Sequence, residues 1–191
     1  MSDRASVGVA LIAKDCENTL PACLDSIRPY VSQIVVAVDE RSTDKTTWVA
    51  ADHGADIVVP VQVSDWHECP DHGRVLAQNF AQARDESFKH LDPVLDWWMW
   101  IDADDILDGG EFLQPALAAV PNDVCGVWMT YVYASMNNYK SITTQFDRER
   151  LLRTRWRGQP LRWTWEYRVH EVVKPVGVDP VWVRTDRVRV L

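Results

Sequence analysis

Residues 97–105 read Trp-Trp-Met-Trp-Ile-Asp-Ala-Asp-Asp. Five large apolar residues in a row suit a strand buried on both faces, and the run stops at a cluster of carboxylates. In open α/β sheets, ligands bind outside the carboxyl ends of the strands, so Asp102 and Asp104 fall where a site is expected. Their oxygens suit Mg²⁺ or Mn²⁺, cations that take one or two protein carboxylates and leave the other positions to substrate phosphates. Alone, an Asp-x-Asp is weak, because surface turns are rich in aspartate. Its weight comes from what surrounds it.

Upstream, short apolar runs alternate with helical patterns, which predicts βαβ units and a mainly parallel sheet. Strands are expected over 7–12, 34–38 and 57–61, and residues 97–101 supply the fourth. Leu20, Cys23, Leu24, Ile27 and Val31 recur at helical spacing after Asn18 or Thr19 as N-cap, with Pro21 in the first turn. Ser42 or Thr43 is expected to cap a second helix that stops at His53-Gly54. A polar loop, 64–73, precedes a helix with Leu76, Phe80, Ala83 and Phe88 on its apolar face. Beyond Gly109-Gly110 a short helix carries Phe112, Leu113, Leu117 and Val120. From Cys125 the character changes to β: 127–133, Leu151-Leu152, 169–173 and 181–183 read as strands between polar stretches.

The 191 residues carry a net charge of -8, which argues against a nucleic-acid backbone as the main partner. A basic cluster from Arg148 to Arg168 leaves room for a local anion site or a solvated surface. No run approaches the roughly 20 apolar residues of a membrane span. The polar start and four scattered cysteines predict a cytoplasmic protein with free thiols.

Several segments, taken in order, resemble the family 2 glycosyltransferases of GT-A fold. Residues 9–20 (Val-Ala-Leu-Ile-Ala-Lys-Asp-Cys-Glu-Asn-Thr-Leu) are similar to that family's opening strand, loop and helix start. Residues 34–46 are similar to its second strand, which ends at Asp39, and to the Ser42-Thr43-Asp44-Lys45-Thr46 turn. Residues 80–88 match the helix that carries a family arginine, here Arg84. Trp100-Ile101-Asp102-Ala103-Asp104-Asp105 matches the Asp-x-Asp signature. Two departures stand out: Glu40-Arg41 replaces the usual Asp-Gly, and Asp85 replaces a common Asn.

The resemblance implies an α/β, GT-A-like fold. A Rossmann-like nucleotide-sugar-binding half with a mainly parallel sheet (1–110) is followed by a mixed β acceptor half (111–191), in one domain. It implies transfer, with inversion, of a sugar from a UDP-, GDP- or dTDP-sugar to an acceptor hydroxyl on a glycan, lipid or protein. Ala13 and Asp15 would line the nucleoside pocket through their backbone, and Asp39 would bind base or ribose. Arg84 would approach the base or diphosphate. Asp102 and the intervening Ala103 would face the ribose or metal, and Asp104 would ligate a Mn²⁺ or Mg²⁺ directly. In the second half, Val169-His170-Glu171 is similar to a Val-His-Glu of one family branch. There Glu171 would be the base that takes the acceptor proton, with Glu166 and Asp147 as rivals, and His170 a further metal ligand. Relatives run longer, so the chain reads as a minimal enzyme or as a piece of a longer one.

Other readings compete. A nucleotide- or carbohydrate-binding module without turnover fits the altered turn at Glu40-Arg41. A sugar nucleotidyltransferase would carry a glycine-rich loop after the first strand, and Lys14-Asp15-Cys16-Glu17-Asn18 has no glycine. Asp65, His67, Cys69 and His72 crowd one segment without the spacing of a standard zinc site, which favours a loop able to cover a ligand with Trp66. Trp156, Trp163 and Trp165 are expected to contact an acceptor sugar or fill the core.

Overall fold

The structure, a computed structural model, describes residues 4–63, 66–69, 73–76, 79–136, 141–167 and 171–191; for 66–69, 73–76 and 135–136 it describes the backbone alone. The elements in chain order are β1 (Val7–Ala13), α1 (Leu20–Ile27), β2 (Gln33–Asp39), α2 (Thr46–Asp52), β3 (Ile57–Val61), β4 (Trp66–Cys69), β5 (Gly73–Leu76) and α3 (Phe80–Phe88). They continue as β6 (Trp97–Trp100), β7 (Leu107–Asp108), α4 (Leu113–Ala118), β8 (Gly126–Met136) and β9 (Ser141–Arg153). Two small hairpins, β10 (Arg155–Trp156) with β11 (Gln159–Pro160) and β12 (Trp163–Glu166) with β13 (Val172–Pro175), precede β14 (Trp182–Val190).

One eight-stranded sheet in the order β3-β2-β1-β6-β9-β8-β14-β7 runs through both halves of the chain. Strands β3, β2, β1 and β6 are parallel. Strand β9 then pairs antiparallel with both β6 and β8, and so joins the parallel half to the mixed half. Parallel strands are covered on both faces, which is why β1 and β2 read as unbroken apolar runs. Along β1 the pleat sends Val7, Val9 and Leu11 to a core that also holds Leu20, Leu24 and Ile27 of α1. Ala10 faces a second core with Phe88, Trp100, Leu152 and Trp165. This is the α/β class expected from the sequence.

Local signals were partly redirected. Helix α2 starts at Thr46 and not at Ser42 or Thr43, and the Asp44 carboxylate accepts from Thr46 N at 2.9 Å. Ser42 and Thr43 instead turn toward Asp15, as described below. Helix α3 begins only at Phe80, where the Asn79 side chain caps it by accepting from Gln82 N. Part of the segment expected as a polar loop forms an antiparallel backbone pair, Trp66–Cys69 with Gly73–Leu76. The ligand-covering role of Trp66 and the zinc question rest on side chains outside the described residues. No helix among the described residues is long and apolar enough to cross a membrane.

Strand β7 is held against β14 by a tight corner at Gly109. Its φ is +75°, and an added Cβ would stand 2.3 Å from the Arg187 carbonyl oxygen. Gly109→Ala is therefore expected to lower stability by more than about 2 kcal/mol, combining left-handed strain with a backbone collision. Urea unfolding would measure it, and a loss below about 0.5 kcal/mol, the range of ordinary surface changes, would contradict this account.

Candidate functional site

The carboxyl ends of β1, β2 and β6 open onto a cavity of about 1050 Å³, which also takes in α3, β8, β9 and Glu171. Helix-forming sequence after each parallel strand forces a turn there, and those turns deliver the polar residues. Ala13, Asp15, Asp39, Arg84, Asp102, Ala103, Asp104 and Glu171 all line this one cavity. They come from five separated segments.

The first two loops clasp one another. Asp15, at φ +50°, accepts from Thr43 N at 2.8 Å and from its hydroxyl, while Asp15 N donates to Ser42 Oγ. Cys16 N donates to Thr46 Oγ1 at 2.7 Å, and Glu17 N to Asp44 Oδ2 at 2.9 Å. The Ser-Thr-Asp-x-Thr turn thus braces the Lys14–Cys16 loop, which lines the cavity. Asp39, almost fully buried, is gripped by Arg41, whose Nε donates to Oδ1 at 2.8 Å and Nη2 to Oδ2 at 2.5 Å. Those Arg41 hydrogen bonds hold its pKa below the ordinary carboxylate value. Arg41, beside Glu40 in the same turn, is the fork that pairs Asp39.

At the centre lies Arg84, 5% exposed, with its guanidinium 4.5 Å from the Trp100 ring and 5.2 Å from Trp165. Nε donates to Glu171 Oε1 and Nη2 to Asp102 Oδ1, each at 2.5 Å. Burial works to raise the pKa of Asp102, but Arg84 and Arg150 outweigh it and keep the group below its ordinary value. Asp105, buried and turned from the cavity, accepts from Asp102 N at 3.1 Å and Arg150 Nη2 at 3.3 Å. Burial pushes its pKa up to about 6. Asp104 is the exposed member, and among the described residues its carboxylate has no hydrogen-bond or ion-pair partner.

Two residues of this centre were not singled out from sequence. Arg148 and Arg150 alternate along β9 and so share its cavity face. Arg150 is fully buried with its guanidinium 3.7 Å from the Trp100 ring, and Arg148 Nη2 donates to the Glu171 carbonyl at 2.9 Å. Buried Arg84 Nη1 and Arg150 Nε find no partner among the described residues. The described lining carries Lys14 and three arginines against five carboxylates, one negative charge in excess.

Other expectations need correction. Glu166 does not reach the cavity, because the β12–β13 pairing places it opposite Val172 and its carboxylate takes Lys174 Nζ at 2.6 Å. Asp147 is paired with Arg184 at 2.8 Å and lies outside the lining. His170 lies outside the described residues, and no group of three or more potential metal-ligating residues is found among them. Trp165 is core, edge-on to Phe88 and Trp100; Trp163 Nε1 is bound to the Arg153 carbonyl and Trp156 Nε1 to that of Asp123. The exposed rings in the cavity are instead Tyr133 and Phe146.

Fold and site together define an α/β protein with a large cavity at its strand ends, lined by paired charges with one negative charge in excess. No protein-family model and no curated protein sequence matches the chain. Among solved structures it is similar to S. aureus TarS 1-349, with 18% identity over 69% of this chain and 37% of that one, at a TM-score of 0.48. It is also similar to M. tuberculosis glucosyl-3-phosphoglycerate synthase in complex with Mn²⁺, uridine-diphosphate and phosphoglyceric acid. There the identity is 22% over 68% of this chain and 44% of that one, at a TM-score of 0.49. The chain spans less than half the length of either protein.

Proposed function

We infer that the chain transfers a sugar from a nucleoside-diphosphate sugar to an acceptor hydroxyl. The observation that carries this reading is the convergence of Asp39, Arg84, Asp102, Asp104 and Glu171 on one cavity, although they are spread over more than 130 positions. The Ala13–Asp15 rim and Asp39 suit the nucleoside. Arg84, Arg148 and Arg150 would face the diphosphate. With one excess negative charge already in the lining, a diphosphate needs a further cation beside it.

The donor set fits a hard cation: Asp104 offers a carboxylate unpaired among the described residues, and Asp102 stands beside it. A Mg²⁺ or Mn²⁺ held by Asp104 with Asp102 would neutralise charge on the departing diphosphate. Glu171 acts as base. Arg84 fixes Oε1, which leaves Oε2 to take the acceptor's hydroxyl proton as that oxygen bonds the anomeric carbon and the bond to the diphosphate breaks, with inversion. Arg84 also ties this base to the metal-side carboxylate, so the two halves of the reaction share one support.

A second reading, a donor-binding module without turnover, is favoured by one observation: Asp39 and Glu171 are both already paired with arginine. Thermal-shift measurements with UDP, GDP and dTDP, each with and without Mn²⁺, test the common part. Stabilisation that requires metal is expected for at least one nucleotide, and none with any would sink both readings. Hydrolytic or acceptor-dependent release of sugar from the matching nucleotide-sugar then separates transferase from module.

A further inference from the structure

We propose that Tyr133 and Phe146 form an acceptor subsite that stacks on the apolar face of a neutral pyranose ring. The proposal rests on the glycosyl-transfer reading and names the class of its second substrate. Tyr131 and Tyr133 both line the cavity from β8, where a bulge at Tyr133 interrupts the pairing between Val132 and Ala134, and Phe146 of β9 pairs directly opposite Tyr131. The three rings form one cluster: Tyr131 to Phe146 is 5.5 Å, Tyr133 to Phe146 is 5.9 Å and Tyr131 to Tyr133 is 6.1 Å. Tyr131 anchors it, with the Arg150 guanidinium 4.7 Å from its ring. Tyr133 and Phe146 stay 67% and 41% exposed, yet both line the cavity. Large aromatic side chains kept open to solvent inside a cavity offer contact area with nothing packed on it.

Their place in the sheet separates them from the nucleoside end. Asp39 ends β2 and Tyr133 lies on β8, four strand steps away in the order β2-β1-β6-β9-β8. At about 4.8 Å per step that is roughly 19 Å. Strand β6, which delivers Asp102 and Asp104, is the middle strand of the five. A donor lying from Asp39 to the acidic turn therefore presents its sugar toward the aromatic end, where an acceptor must wait. The two rings carry no charge, which suits a neutral partner. Exposed Thr144, two residues before Phe146 on β9, supplies a hydroxyl beside the rings. A pyranose matches both features: C–H bonds on one face meet the negative ring faces, and hydroxyls point outward.

Saturation-transfer NMR on the full chain tests this with methyl β-glucopyranoside, methyl β-galactopyranoside and methyl α-mannopyranoside, with and without UDP and Mn²⁺. At least one glycoside is expected to receive saturation mainly on the ring protons of one face. Tyr133→Ala and Phe146→Ala should each weaken that binding about tenfold, and Tyr133→Phe should stay within about twofold of the wild type. Calorimetry should show unchanged UDP–Mn²⁺ affinity in all three variants. No saturation of any glycoside, or full binding by the alanine variants, overturns the subsite. So does octyl β-glucopyranoside saturated only along its octyl chain. Absence of binding to UDP, GDP and dTDP alike in the wild type overturns the transfer reading instead, because glycoside contact is read independently of it.

Discussion

Arg84→Met is expected to lose about 3–5 kcal/mol of stability, the cost of leaving buried charges without their partner. For a chain of this size that is a fall in Tm of roughly 6–20 °C, at about 2–4 °C per kcal/mol. Methionine fills much of the same space between Trp100 and Trp165, so lost volume is a small part of the effect. What is lost is the fork that joins Glu171 and Asp102, each at 2.5 Å. Arg84→Lys keeps the charge but offers one point donor, and cannot serve two carboxylates in that fixed geometry. It should fall between wild type and Met. The pH dependence separates charge from packing. Asp102 has its pKa lowered in the folded state, so its contribution is present above the unfolded value of about 3.9 and is lost as pH falls through the folded value. The stability gap between wild type and Arg84→Met should therefore narrow below about pH 4. Urea unfolding at pH 7 and pH 3.5 measures it; an equal gap at both would mean that packing alone was lost.

That fork shows where reading the sequence stops. The parallel half is legible because each of its strands is an apolar run closed by a turn, buried in β1, β2 and β6, and each turn needs only local information. Trp97–Trp100 announce a strand, and the acids after it announce a strand end. The clasp between Asp15–Glu17 and Ser42–Thr46 is not legible: a serine and a threonine before a helix look like caps, and only the parallel pairing of β1 with β2 brings Asp15 to them. The second half depends on long-range pairing throughout. Arg148 and Arg150 read as part of a basic cluster, an anion site or a solvated surface alike, until β9 is set between β6 and β8, which turns their shared face into the cavity. Glu166 and Glu171 are five positions apart and equally acidic, yet the β12–β13 pairing sends one to Lys174 in solvent, while Arg84, 87 positions away from Glu171, draws the other inward. The tryptophans illustrate the same limit: Trp165, an indole suited to a sugar, was needed for the core, and the exposed rings that line the cavity are Tyr133 and Phe146.

The two acids of the Asp-x-Asp should separate cleanly on substitution. Asp104 is exposed and unpaired among the described residues, so Asp104→Asn should leave stability within about 0.5 kcal/mol of wild type. Its effect falls on the nucleotide: the Mn²⁺-dependent gain in nucleoside-diphosphate affinity should drop by at least about 100-fold, since even groups that only orient a metal ligand typically contribute 10- to 100-fold. Binding without metal should be unchanged. Asp102→Asn differs in kind. It removes the partner of Arg84 Nη2 and a charge 4.0 Å from Arg150, so it should lower stability as well as affinity. Calorimetry of UDP with and without Mn²⁺, beside urea unfolding of both variants, gives the four numbers required. If Asp104→Asn keeps the metal-dependent gain, Asp104 is not the ligand. If both variants lose affinity but neither loses stability, the bond from Arg84 to Asp102 does not support the fold. The expected asymmetry follows from exposure and pairing together: the acid that faces solvent has no partner among the described residues and can hold a cation, and the one beside it is already held by two arginines.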